Sequence, residues 1–318
     1  MGTVISKGST YVSMGQTLES PDILSSGRVF VLNGGRVSSG NIFMGGSETV
    51  SNGGVDISAY VYSGGGMRVL SGGIASDYYV ISSSYVSAFG GILLGGAVGR
   101  GGQVIVDGMQ GSASVTKGVV SGARILSGGG VVINLNAVGS TLKLQSGTIH
   151  VSSGGSIVNT YIGSSSGDSR GAVTYVLNGA NASSSFIHSN GMMYVSFGGK
   201  ASSNTVYTGG SAIVSSGGYL TNTVASGGVV DLKPGGSAVS TTIYKDSATS
   251  RGGMWVSSGA VATSTTIDQD GQMFIMNGGI ARGSNHLRNG SVYIYSGGEA
   301  LNFAVSGGTF YAAARENP

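Results

Sequence analysis

The chain has no cysteine, only three prolines among 318 residues, and only 9% charged residues. Without cysteine there are no disulfides, thiolate metal sites or thiol nucleophiles. So little proline, with no three-residue glycine period, excludes collagen despite 61 glycines. A net charge of +3 rests on few side chains, and no Lys/Arg cluster is present to grip a phosphate backbone, so nucleic acid is not an expected partner. No apolar run is long enough for a spanning helix, so no transmembrane segment is expected. No secretory signal is visible at Met1-Gly2-Thr3-Val4, and the chain reads as a mature or excised piece, or one exported by another route.

What is present is a repeat. Val12, Val31, Val50 and Val69 lie nineteen apart, and the column resumes at Val176, Val195 and Val214, then at Val256, Ile275 and Ile294. A period near 20 residues belongs to a solenoid, in which short units stack on their neighbours. A second column runs through Ile42, Val61 and Val80, and again through Ile187 and Val206. Short Val/Ile/Thr-rich segments alternate with Gly-rich turns, and no helix-length segment lacks glycine. The expected fold is therefore all-β: a single-stranded parallel β-helix, right-handed, of about 19 residues per coil, with two short strands per coil. The expectation is one continuous solenoid over 1–318, with irregular register at about 82–150 and loop insertions at about 161–170 and 244–251.

Runs such as Val-Ser-Ser-Gly-Gly, at 151–155 and 214–218, are followed by x-Ala/Leu-x-x-Thr-Val and a further x-Gly-Gly. They resemble the 19-residue repeats of AIDA-type autotransporter adhesin passengers. The resemblance covers most of the chain and is best over 195–243. It implies a surface-displayed or secreted β-helix with roles in adhesion, autoaggregation and biofilm. It also implies O-linked heptose on repeat serines, which by position here are Ser152, Ser153, Ser215, Ser216, Ser257 and Ser258. The membrane β-barrel that the family carries is not in this sequence.

The residue before the Val12 column points outward. Tyr175 and Tyr194, and then Trp255, Phe274 and Tyr293, would stack as aromatic ladders there, and an exposed aromatic strip marks an interaction surface. The plainer account is that like-on-like stacking only stabilises parallel strands. No His is linked to a Ser and an Asp as a triad requires. Asp268-Gln-Asp270-Gly271 lacks the further ligands of a calcium loop, so no metal or cofactor is expected.

The reading is a non-enzymatic adhesive or structural protein outside a bacterial cell. Its partners would be copies of itself, surface glycans or matrix. Two rivals stand beside it: a filament or shell element stacking end to end, and a polysaccharide-degrading β-helix enzyme. The enzyme would need clustered acids in a groove, and the chain has only 13 Asp and Glu in all.

Overall fold

A computed structural model describes residues 2–110, 115–152, 154–163, 171–245 and 252–314, without the side chains of 109, 110, 115, 313 and 314. Much of the two expected insertions, 164–170 and 246–251, lies outside the described residues. The chain divides into two compact units, 1–160 and 161–318.

Both units are β-solenoids without helix among the described residues. Each coil contributes one strand to each of three parallel sheets. In the first unit the sheets hold eight strands each. They run from Val4–Ile5 to Lys143–Leu144, from Gly8–Val12 to Gly147–Val151, and from Thr17–Glu19 to Ser156–Val158. In the second unit the first and second sheets have eight strands and the third has seven.

One coil of the second unit shows why this sequence turns as it does. Gly191–Val195 belongs to the second sheet, Lys200–Ser202 to the third and Thr205–Tyr207 to the first. Between the first two, Ser196 accepts a hydrogen bond from the Gly199 amide at 2.7 Å, closing a turn with Gly198 at φ 73°. That φ favours glycine at the third turn position. Gly199 is needed for another reason: a Cβ there would run into the Val176 carbonyl of the preceding coil. The Gly-Gly pair thus joins a conformational demand to a steric one.

The expected two strands per coil are corrected to three. The third corner of this coil is Ser203, at φ 55°, whose amide donates to Thr221 of the next coil at 2.9 Å. Ser20, Ser39, Ser58, Ser184, Asn222, Ser240 and Ser264 hold the same kind of left-handed backbone. Such a conformation costs a non-glycine residue about 1–2 kcal/mol. It persists where ladder hydrogen bonds on both sides over-determine it.

Pairing is in register by one coil: Val195 opposite Val214, Lys200 opposite Tyr219, Thr205 opposite Val224. Inward positions therefore stack on inward positions, and the interior consists of columns. Val195, Val214, Leu232, Val256 and Ile275 are all fully buried, as are Ile187, Val206, Ile243 and Ile267. Burying such a side chain contributes about 1.5–3 kcal/mol. A third-sheet column of Ala182, Ala201, Leu220, Ala238, Ala262 and Ala281, alanine at every position but one, keeps the core narrow.

In the first unit the nineteen-residue step holds from Val12 to Ala88. Ala88 then pairs with Val106, Val106 with Ile133 and Ile133 with Val151, steps of 18, 27 and 18 residues by subtraction of their numbers. The long step contains an antiparallel pair, Met109–Gln110 with Val115–Thr116, lying outside the solenoid sheets.

Candidate functional site

The outward column of the second sheet in the second unit reads Tyr175, Tyr194, Ile213, Asp231, Trp255, Phe274, Tyr293 and Tyr311 in successive strands. Tyr175 and Tyr194 stack at 5.4 Å between ring centroids. Trp255, Phe274, Tyr293 and Tyr311 form a continuous ladder at 4.9, 5.0 and 4.6 Å. The spacing is that of the strands themselves. Ring faces are spent on one another, which leaves Trp255, Phe274 and Tyr293 half-buried, their outer edges forming the surface, while Tyr311 is exposed. Ile213 and Asp231 interrupt the column, and Asp231 is ion-paired to Lys233 at 2.8 Å.

Further aromatic stacks, which the sequence reading did not identify, lie on the first sheet. In the first unit Phe43 stacks on Tyr62 at 4.9 Å and Tyr60 on Tyr79 at 4.8 Å, with Tyr60 and Tyr62 side by side at 6.3 Å. In the second unit Tyr161 meets Phe186 at 5.0 Å, and His188 meets Tyr207 at 4.7 Å. Partial burial lowers the His188 pKa, so the ring is favoured in its neutral, stacking form. The signal was available in the nineteen-residue step from Tyr60 to Tyr79 and from His188 to Tyr207.

The candidate serines fall at two kinds of position. Ser152, Ser215 and Ser257 open their turns and are half-buried, and the Ser152 hydroxyl donates to Asn134 Oδ1 at 2.9 Å. Ser216 and Ser258 occupy the next turn position and are exposed. Ser153 lies outside the described residues.

A close pair of acids also escaped the sequence reading. Glu48 and Asp56 both face the interior of the first unit and are fully buried. Their positions follow from alternation, since Glu48 shares the inward column of Val29 and Met67. No donor reaches any of their four oxygens with hydrogen-bond geometry. Burial, with the neighbouring Asp56 carboxyl, raises Glu48 well above the usual carboxylate range. Burial raises Asp56 to about 7, against the opposing pull of Glu48 and the Ala59 backbone amide. A proton shared between the two carboxyls relieves both charge and unmet hydrogen bonding. Enclosed in the core, this pair cannot flank a sugar–sugar bond as a glycosidase pair must.

Among the described residues no group of three or more His, Cys, Asp or Glu is arranged to hold a metal ion. No helix among them is long and apolar enough to cross a membrane.

No family model matches the sequence, and no curated protein matches it. Among solved structures, the chain is similar to a TibC-catalysed, hyper-glycosylated fragment of TibA, with 29% identity and a TM-score of 0.64 over 96% of this chain and 98% of that one. The Streptococcus pneumoniae surface protein and adhesin PfbA aligns at 9% identity with a TM-score of 0.21, too low to indicate a shared fold. The chain is a β-helix of about 19 residues per coil, similar to AIDA-type autotransporter adhesin passengers.

Proposed function

From the premise that this chain is an AIDA-type passenger-like β-helix, we propose that it is a non-enzymatic adhesive protein, displayed on or secreted from a bacterial cell. It acts in cell adhesion, autoaggregation or biofilm formation. The observation that carries this reading is the ladder Trp255–Phe274–Tyr293–Tyr311, a flat aromatic strip repeated coil by coil on one outer face. Such a strip offers many weak, equivalent contacts, and contacts in series give avidity without a deep pocket. The partner is a second copy packing laterally, or surface glycan or matrix.

The test is a settling assay with the chain displayed on otherwise non-aggregating cells. The double substitution Trp255→Ser and Phe274→Ser should slow settling severalfold while circular dichroism stays unchanged. Unchanged settling would remove the ladder from the mechanism, and no aggregation by the unsubstituted chain would remove the reading itself.

The hyper-glycosylation of the similar TibA fragment supports serine modification here as well. Exposure orders the candidates: Ser216 and Ser258 should be modified before the half-buried Ser152, Ser215 and Ser257. Peptide mass mapping after co-expression with a suitable glycosyltransferase reads this order directly. Modification confined to the half-buried set would contradict it.

A further inference from the structure

On the second sheet of the first unit the outer face carries one stack, Tyr11 on Phe30 at 5.1 Å, and is not filled by a ladder beyond it. Four successive strands, Gly27–Val31, Ser47–Val50, Gly66–Leu70 and Tyr85–Phe89, enclose a hollow of about 350 Å³. Cavities that hold small ligands begin at about 300 Å³. Its floor is two short hydroxyl side chains, Ser47 and Thr49. Register places Arg28 and Phe30 beside them on one side, and Arg68 beside Thr49 on the other. Tyr85 closes that second side by leaning back over Gly66, where a built Cβ would fall 2.8 Å from the tyrosine Cε1. Glycine at 66 is what lets the phenol reach the hollow.

Arg28 and Arg68 lie two strands apart, about 10 Å along the stack, and two residues apart in register. Both are exposed, and neither forms an ion pair among the described residues. Glu48 lies beneath the floor, but burial and its acid neighbour favour its protonated form, so it does not cancel the positive charge above.

We propose that this hollow binds an anionic sugar residue, a uronate or a sulfated hexose, within an acidic polysaccharide. Arg28 and Arg68 take the carboxylate or sulfate oxygens, for which the planar guanidinium fork is suited. Ser47 and Thr49 exchange hydrogen bonds with ring hydroxyls. Phe30 and Tyr85 pack against the apolar C–H face of the ring. A nucleic acid fits less well, because its closely spaced phosphates call for a run of basic residues. Beyond the arginines these columns continue with Ser9 and Tyr11 on one side and Ser87 and Gln103 on the other. The proposal rests on the exterior, glycan-contacting reading above.

The test is isothermal titration of the full chain with three probes: trigalacturonate, a sulfated chondroitin tetrasaccharide and neutral maltotriose. One anionic probe should bind saturably and at least tenfold more tightly than maltotriose, and which one binds distinguishes carboxylate from sulfate. Arg28→Ser and Arg68→Ser should each weaken it at least tenfold. Arg124→Ser, the same charge change on the first sheet, should leave it intact. Gly66→Ala should weaken it by displacing Tyr85 without altering the melting temperature.

Equal binding of maltotriose, or an equal loss with Arg124→Ser, overturns the site. So does tight binding of a DNA 12-mer that is lost with the same two arginines. No anionic binding by a chain that still aggregates displaying cells overturns this site and spares the adhesive reading. Binding by a chain that fails to aggregate cells supports the site and sinks that reading.

Discussion

In the first unit the inward position just past the third corner is mostly apolar, holding Pro21, Gly40, Ala59, Tyr78, Ala123 and Leu142 before Thr160. In the second unit it holds Ser185, Asn204, Thr223, Thr241 and Thr265. Both rows are buried, and both follow a backbone in the left-handed region. The amide at this corner points inward, and the two units answer it differently. In the second, Asn204 Oδ1 accepts from the Ser185 amide at 2.9 Å, and Asn285 Oδ1 from the Thr265 amide at 2.8 Å. In the first, the Ala59 amide bears on Asp56, which shares the core with Glu48. A narrow core tolerates polar side chains where they complete the backbone's hydrogen bonding. The amide side chains do this without titrating, whereas the acid pair, with no donor in hydrogen-bond geometry, is accommodated by holding a proton.

The largest contrast between the units should therefore appear with pH. A carboxyl whose pKa is higher folded than unfolded binds its proton more tightly in the folded state. Its stabilisation is fully present below the unfolded pKa and is lost as pH rises through the folded one. For Asp56 the window runs from 3.8 to about 7. For Asp56 alone, about three pKa units correspond to roughly 4 kcal/mol. Hydrogen exchange should show local opening in 47–61 becoming easier from about pH 4 to pH 8, with 204–214 unaffected after correction for intrinsic rates. Glu48→Gln with Asp56→Asn should flatten the difference. Parallel pH responses in the two segments would erase it.

A smaller effect should follow from breaking the amide solution. Asn285→Ala removes the acceptor of the Thr265 amide and the donor to the Leu301 carbonyl, at 2.8 and 2.9 Å. An unsatisfied buried group costs about 1–3 kcal/mol, which a denaturation midpoint would register. Asn204→Ala loses the one bond to Ser185 and should fall at the lower end of that range. A change in neither midpoint would mean that water replaces both side chains.

The smallest effect is expected at the corner itself. Ser203→Gly relieves the left-handed strain but makes the unfolded chain freer, and the two effects, each about 1 kcal/mol, nearly cancel. Gly198→Ser in the same coil has no such offset. It adds strain at φ 73° and crowds Asn178, so its midpoint should drop clearly below that of Ser203→Gly.

The coil period and the Gly-Gly turns were legible because each announces itself by residue type: valine repeats inside, glycine where φ or a neighbouring carbonyl forbids a Cβ. The third strand was hidden. Lys200–Ser202 is three residues long, buries a single alanine, and ends at a serine rather than a glycine. The ladder from Trp255 to Tyr293 was legible from nineteen-residue spacing, whereas Tyr311 follows Tyr293 by eighteen residues and falls outside that spacing. The stacks on the first sheet went unseen because two-residue strands such as Tyr60–Val61 give too little alternation to assign a face. The acid pair was legible in principle. Thr49 faces out and Val50 faces in, so Glu48 must face in, yet the rarity of buried carboxylates argues against reading it so.

All of these placements depend on the one-coil register, and the absence of cysteine lets it be tested directly. Lys200 and Tyr219 are register partners on the third sheet. Adjacent parallel strands put such a pair about 4.8 Å apart, within disulfide range. With Lys200→Cys and Tyr219→Cys in one chain, mild oxidation should close an intramolecular disulfide almost completely, while Lys200→Cys with Tyr207→Cys should stay reduced. Bonding of the second pair and not the first would contradict the three-sided, nineteen-residue coil.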